Sequence, residues 1–291
     1  MGAMAWRFLK GHGTENDFVL LPDPDGALDL SPTRVAALCD RRAGIGGDGV
    51  LRVVRAAADP DSVAMAADAE WFMDYRNADG SVSQMCGNGA RVFGRYLVTA
   101  GLAEPGPISV ATRGGVRVVT VPVEGDIAVE MGGPTFAALR ALALVTVGDG
   151  AGGARTWPAT AVSIPNPHAV VFVDDLADAG PLREAPQIGP PAMFPEGANI
   201  EFVVVHEPGH LAMRVHERGV GETRSCGTGA CAAAVAARRR EGDGSPRSWR
   251  VDVPGGTVHV HERADGEVVL SGPAVLVAEG VLDDAWLADH P

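Results

Sequence analysis

Two cysteines carry the chemistry this sequence is equipped to do. Cys86 stands in Ser83-Gln84-Met85-Cys86-Gly87-Asn88-Gly89-Ala90-Arg91, and Cys226 stands 140 positions later in Arg224-Ser225-Cys226-Gly227-Thr228-Gly229-Ala230-Cys231. In both, a Cys-Gly-x-Gly step leads from a polar loop into an apolar run with helical spacing, which predicts a thiol at or just before a helix N-terminus. Unpaired N–H groups and the positive end of the helix dipole there favour thiolate over thiol, and the flanking glycines let a carboxylate approach those N–H groups. A thiolate that takes a proton and a thiol that gives one form a general base and a general acid.

The elements that must position these thiols repeat with them. Nine positions before each cysteine lies a polar anchor, Asn77 in Asn77-Ala78-Asp79-Gly80 and Glu217 in Glu217-Arg218-Gly219-Val220. The spacing predicts an internal duplication, with two similar domains facing each other and one thiol from each lining a shared cleft. Trp71–Arg76 reads as the strand that delivers Asn77, and Leu211–His216 as the strand that delivers Glu217 and Arg218. Three further asparagines fall near strand ends: Asn16 after the turn Gly11–Glu15, Asn166 in Pro165-Asn166-Pro167-His168, and Asn199 ahead of the strand Ile200–Val205. The two prolines predict a stiff loop that carries Asn166 and His168 into the strand Ala169–Val173. Ser31-Pro32 opens a short helix with Cys39 on its core side. Gly44-Ile45-Gly46-Gly47-Asp48-Gly49 matches a dinucleotide-binding string but follows a helix and precedes a strand, the reverse of what that fingerprint needs, so it reads as a flexible loop beside the cleft. The stretch from Phe136 to Ala159, rich in Ala, Gly, Leu and Val, reads as a linker, and everything after Ser245 reads as β.

Composition sets the outer limits. The 291 residues suit two domains of ordinary size, and 46% hydrophobic content suffices for a core in each. A net charge of −13 argues against nucleic acid or an anionic membrane surface as partner. The first ten residues have no apolar signal segment and no run approaches a membrane span, so a cytoplasmic location is expected. Met1-Gly2-Ala3-Met4 reads as a cloning remnant, with Met4 as the natural start. Four cysteines without Cys-x-x-Cys spacing fit neither a secreted disulfide framework nor a zinc site, and no metal is expected. Lys10 is the only lysine. A pyridoxal phosphate enzyme needs a lysine for its Schiff base, so chemistry at an amino-acid α-carbon is expected to proceed here with no cofactor.

Four asparagines, a Glu-Arg pair and two thiols suit a zwitterionic amino acid that undergoes proton transfer at carbon. A base on each face is what inversion requires. The charge that develops on the α-carboxylate needs an anion cradle, for which the N–H groups of Gly87, Asn88, Gly227 and Thr228 are the candidates.

The motifs Gly11-His12-Gly13-Thr14-Glu15-Asn16-Asp17-Phe18, Asn77-Ala78-Asp79-Gly80-Ser81, Met85–Arg91, Pro165–His168 and Glu217–Gly219 through Cys231 together resemble the diaminopimelate epimerase family from the first strand almost to the end of the chain. The resemblance implies an α/β (α+β) fold of two pseudosymmetric domains, each a curved, mostly antiparallel sheet wrapped around a central helix. Residues 1–133 are expected to form the N-terminal domain, joined by the last strands from about 274 to 291, and residues 134–273 the C-terminal domain. The implied activity is a cofactor-independent, two-base epimerase that interconverts LL- and meso-2,6-diaminopimelate in lysine and peptidoglycan precursor biosynthesis. Cys86 and Cys226 resemble the catalytic pair. Asn16, Asn77, Asn166, Asn199, Glu217 and Arg218 resemble the residues that hold the substrate, chiefly its non-reacting end, with His168 in support. The expected partner is a small-molecule substrate, with no nucleic acid and no membrane, and a homodimer is the candidate assembly. Some members of the family carry glutamine where Gly49 stands, which removes a side-chain contact here. The proline racemase family shares the fold and the thiol pair, but its first motif resembles Cys-Gly-His-Gly, with histidine in the place of Asn88. The phenazine-pathway isomerases share the architecture and lack the cysteines.

Overall fold

Period-two alternation of β-branched residues dominates the chain, and strands dominate its computed structural model, which describes residues 6–136, 143–148, 153–242 and 244–290. The Met1–Met4 reading therefore lies outside the described residues. Two units emerge, Met1–Val129 with Gly272–Pro291, and Glu130–Ser271.

Unit 1 opens with β1 (Arg7–Gly13), β2 (Asn16–Pro22), α1 (Pro32–Cys39), β3 (Gly49–Arg55), β4 (Trp71–Asn77) and α2 (Gly87–Thr99). It continues through β5 (Gly106–Thr112) and β6 (Gly115–Val121) into β7 (Ile127–Gly132). In unit 2 β8 (Thr135–Phe136), β9 (Ala143–Gly148), β10 (Ala154–Ile164), β11 (Asn166–Phe172) and β12 (Gln187–Gly189) precede β13 (Asn199–Glu207), β14 (His210–Glu217) and β15 (Gly221–Thr223). Then come α3 (Gly227–Glu241), β16 (Ser248–Val253), β17 (Gly256–Glu262) and β18 (Val268–Gly272), with β19 (Val275–Val281) and α4 (Asp284–Asp289) returning to unit 1.

The duplication is written into strand pairing. In unit 1, β1 and β2 are antiparallel, β2 and β3 parallel, β3 and β4 antiparallel, β4 and β5 parallel. Unit 2 repeats this series with β10, β11, β13, β14 and β16. The register repeats too: Phe18 opposite Gly49 in unit 1 becomes His168 opposite Asn199 in unit 2, a shift of 150 at both positions. Each sheet wraps its own helix. α2 packs on β1, β2, β3, β4, β6 and β19, while α3 packs on β10, β11, β13, β14, β16 and β17. Ala230 through Ala237 of α3 are all buried, and side chains this small let strands close around the helix from several sides.

Several local expectations change on contact with the structure. The expected linker contains core strands: β9 and β10 pair from Ala143 opposite Ala159 to Gly148 opposite Ala154, with Val145 fully buried. Its small apolar residues fill the space beneath a sheet, where a linker would need polar ones; residues 137–142 and 149–152 of that stretch lie outside the described residues. Asn166 and His168 sit on β11, because the turn is the single residue Pro165 and Ile164 already pairs with Asn166. The last described element is helix α4, capped by Asp283, whose Trp286 and Leu287 pack against the core cluster that includes Val19, Val35 and Leu38.

The loop Gly44–Gly49 is stapled rather than flexible. The amides of Gly44, Ile45, Gly46 and Gly47 donate to carbonyls of Asp40, Leu38, Leu38 and Cys39, and Asp48 N donates to Asp17 O at 2.7 Å. A Cβ at Gly44 would overlap the Ala37 carbonyl, so glycine is there for close packing against the end of α1. Gly49 is closed in the same way, since a Cβ there would overlap the Arg76 carbonyl and leaves no room for a longer side chain at this position. The sole lysine is committed as well: Lys10 Nζ pairs with Asp17 Oδ2 at 2.5 Å and donates to the Gly46 carbonyl.

Candidate active site

Cys86 is the N-cap of α2 and Cys226 the N-cap of α3, each with extended backbone angles. Gly89 N donates to Cys86 Sγ at 3.3 Å, and Gly229 N donates to Cys226 Sγ at 3.4 Å. Each sulfur thus occupies the place an aspartate or serine fills at an ordinary N-cap. Gly87 and Asn88 open α2, Gly227 and Thr228 open α3, and amides at these positions face out of a helix end, where no helical carbonyl reaches them.

In unit 1, Asn16 is brought to Cys86 by a two-residue hairpin. Thr14 and Glu15 hold φ of 51° and 61°, a primed turn built from residues that strain to enter it. Arg91, fully buried, anchors it by donating to Thr14 Oγ1 at 3.2 Å. Asn16 Nδ2 donates to Asp48 Oδ2 at 2.7 Å, which turns Oδ1 toward Asn88 Nδ2 at 3.1 Å and the Cys86 thiol at 3.8 Å. The stapled glycine loop therefore delivers Asp48, a residue the sequence reading passed over. Asn77 ends β4 opposite Gly49 and donates to Ser81 Oγ at 3.0 Å.

In unit 2, Cys226 is 5% exposed, and Asn199 Nδ2, Thr228 Oγ1 and the Glu217 carboxylate surround it, the first two at 3.9 and 3.5 Å. Arg218 N fixes Asn199 by donating to Oδ1 at 2.9 Å. The Arg218 guanidinium is exposed and contacts the Glu196 carbonyl at 3.0 Å. Thr223 Oγ1 donates to Glu217 Oε1. His168 and Glu201 are both fully buried, with His168 Nδ1 2.7 Å from Glu201 Oε1 and Nε2 3.0 Å from Asn166 Oδ1. Glu201 also went unseen in the sequence, where its only signal is a carboxylate inside the apolar run Ile200–Val205.

Electrostatics corrects the expectation that both helix ends favour thiolate. Burial pushes the Cys226 thiol well above its ordinary pKa, and the carboxylates of Glu217 and Glu201 push it further; the Thr228 hydroxyl and Gly229 N–H oppose this and lose. Burial likewise raises Glu217, against the hydrogen bonds from Thr223 and Cys226. Cys226 is thus held as a thiol. Cys39, the last residue of α1, is 5% exposed like Cys226 and is pushed up to about 12, chiefly by burial, whereas Cys86 is only half-buried. Iodoacetamide at about pH 8 is expected to label Cys86 in the native protein and leave Cys39 unmodified until the chain is unfolded, as peptide mass spectrometry would show. Among the described residues no cluster of His, Cys, Asp and Glu suits a metal ion, and no helix is long and apolar enough to cross a membrane.

Structural comparison finds the same architecture in a PhzF-family phenazine biosynthesis protein of Bacillus anthracis, at a TM-score of 0.67 and 17% identity over 96% of this chain and 99% of that one. A hydroxyproline epimerase of Agrobacterium vitis, solved with trans-4-hydroxy-L-proline bound, gives 0.67 at 15% identity over 97% and 94%. Likeness at such identities speaks for the fold alone. Sequence says more. A diaminopimelate epimerase of Streptomyces coelicolor is 59% identical over 287 residues, 96% of each chain. One of Thermobifida fusca is 50% identical over 284 residues, 94% of this chain and 97% of that one. Residues 8–137 and 160–277, which span both cysteine N-caps, match the family model described as diaminopimelate epimerase. With the motifs, the fold and this match running through both units, the chain belongs to the diaminopimelate epimerase family.

Proposed function

We propose that this protein is an isomerase that interconverts LL- and meso-2,6-diaminopimelate in the cytoplasm, on the route to lysine and peptidoglycan precursors, with two thiols and no cofactor. The observation that carries this reading is the matched pair of cysteine N-caps on the repeated central helices, in a chain of this family. One sulfur removes the α-proton as a thiolate, and the other, as a thiol, delivers a proton to the opposite face of the same carbon. Burial and the Glu217 carboxylate raise the Cys226 thiol, the direction that suits a proton donor in one sense of the reaction, and in the reverse sense the two sulfurs exchange roles. The α-carbon is a weak acid, and its carbanion is tolerable only if charge that spreads onto the carboxylate meets fixed donors. The amides of Gly87, Asn88, Gly227 and Thr228 are assigned that task. Asn16, Asn77, Asn166, Asn199, Glu217 and Arg218 are assigned the grip on substrate: a guanidinium suits a carboxylate in bidentate fashion, while Glu217 and amide oxygens suit the ammonium. His168 supports Asn166.

The test is incubation of reduced protein with LL-diaminopimelate in deuterated water, without pyridoxal phosphate, followed by NMR. Meso product with deuterium at one α-carbon is the expected result. Exchange with proline but not with diaminopimelate would keep the two-thiol chemistry and overturn the substrate.

A further inference from the structure

The duplication supplies an internal control for every position in unit 2. In unit 1 Phe18 and Leu51 are both fully buried on the neighbouring strands β2 and β3, and a Cβ built on Gly89, at the N-terminus of α2, would stand 3.2 Å from Leu51 Cδ2. The same register in unit 2 places His168 where Phe18 would be and Glu201 where Leu51 would be: Leu20 opposite Leu51 becomes Val170 opposite Glu201. A Cβ built on Gly229 would stand 2.8 Å from Glu201 Oε1, so the carboxylate occupies the place of the leucine methyl.

An apolar pair therefore packs this layer adequately, and the same chain proves it. The polar pair is the more expensive solution, because burying a carboxylate demands that its lone pairs be satisfied. Glu201 meets that demand only in part: Oε1 contacts His168, whereas Oε2 is buried without a hydrogen-bond partner among the described residues. Stability alone does not account for a fully buried glutamate left half-satisfied over a leucine that fits. What the pair does achieve is visible in its contacts. Glu201 Oε1 fixes the His168 ring through Nδ1, and the ring through Nε2 fixes the Asn166 carboxamide at the head of β11. In unit 1 the equivalent Asn16 carboxamide is fixed instead by Asp48, from outside the sheet.

We propose that Glu201 is a positioning residue, which acts through His168 to hold the Asn166 side chain in its ligand-binding orientation. This deepens, and rests on, the reading of Asn166 as a substrate contact.

Three variants test it. H168F/E201L copies the apolar pair of unit 1 and is expected to melt within a few degrees of wild type, with KM for diaminopimelate raised about tenfold or more, the scale of one lost hydrogen bond to a charged group. Glu201→Leu alone is expected to raise KM by a similar factor. Glu201→Gln keeps an oxygen toward His168 Nδ1 and is expected to stay within about threefold of wild type, a rescue that a purely structural charge would not give. An H168F/E201L chain that does not fold, an unchanged KM in E201L, or a Glu201→Gln variant as impaired as E201L would each overturn the proposal. The Asn166 side-chain amide signal in 1H–15N spectra of the unliganded protein separates this from the function assignment. It is expected to shift in E201L and hold in Glu201→Gln even if wild type proves to epimerise a different amino acid, and an amide signal indifferent to E201L would sink the positioning role on its own.

Discussion

Replacing either Cys86 or Cys226 by alanine is expected to lower epimerisation by about 10²- to 10⁴-fold, the usual worth of a positioned general acid or base. The fold should survive. Each cysteine is an N-cap that accepts one helix amide, and losing such a cap costs about 1 kcal/mol in a chain whose helices are enclosed by sheet. Serine separates the two roles of the sulfur. Cys86→Ser and Cys226→Ser keep an acceptor for Gly89 N and Gly229 N, so they should melt at or above the alanine variants, yet a hydroxyl is far too weak an acid to cycle protons as a thiol does. Rates measured by chiral chromatography, with melting curves alongside, check this. A Cys86→Ala, Cys226→Ala double variant that still exchanged the substrate's α-hydrogen with deuterium would remove the two-thiol mechanism.

The largest expected loss of stability lies elsewhere in unit 1. Asp74, fully buried on β4, contacts Arg113 Nη2 at 2.9 Å, Arg76 Nη2 at 3.0 Å and Arg52 Nη1 at 3.5 Å. Arg52 in turn contacts Asp23 at 2.7 Å and Asp59 at 3.1 Å. Asp74→Asn removes a charge that three guanidiniums share; Arg52 keeps Asp23 and Asp59 and Arg113 keeps Asp61, but Arg76 loses its carboxylate, so the change should cost about 3 kcal/mol in chemical denaturation. The same network sets the acid limb of stability. Burial by itself would raise the Asp74 pKa, but Arg76 and Arg113 outweigh it and hold the carboxyl below its ordinary value. Its contribution is therefore fully present above about pH 4, where the carboxyl of the unfolded chain ionises, and is lost as pH falls through the lower folded value. Wild type should lose stability steeply in that window and Asp74→Asn less so; parallel curves would show that the network does not govern acid unfolding.

Much of this was legible in the residues. Cys-Gly-x-Gly steps announced both helix starts, because a small cap followed by glycines before an apolar run has few other uses. The anchors nine positions upstream announced the strands β4 and β14. The repeat was harder to follow further upstream, and the structure shows why: matched positions are 140 apart at the cysteines but 150 apart at Phe18 and His168. The connection from β3 to β4 runs from Arg55 to Trp71, whereas β13 and β14 are joined by a tight turn from Glu207 to His210, so a sequence-wide repeat loses its phase there. Pattern also failed where burial reverses a local preference. The Phe136–Ala159 stretch is poor in polar residues because parts of it are core, and the Cys226 thiol is raised although it caps a helix, because desolvation and two carboxylates outweigh the hydrogen bonds from Thr228 and Gly229. Glu201 and Asp48 act through partners distant in sequence, which no local spacing encodes.

Equivalent strands with non-equivalent side chains bear on how such a chain can change over generations. Once a segment has doubled within one gene, each copy is under separate selection while the backbone pattern stays common to both. Phe18 and Leu51 fill this layer with apolar side chains in one copy, and His168 and Glu201 take the matching positions in the other. Diaminopimelate has two chemically alike ends, and only one of them reacts. One backbone pattern thus carries two chemistries, an apolar pair in unit 1 and a hydrogen-bonded polar pair in unit 2.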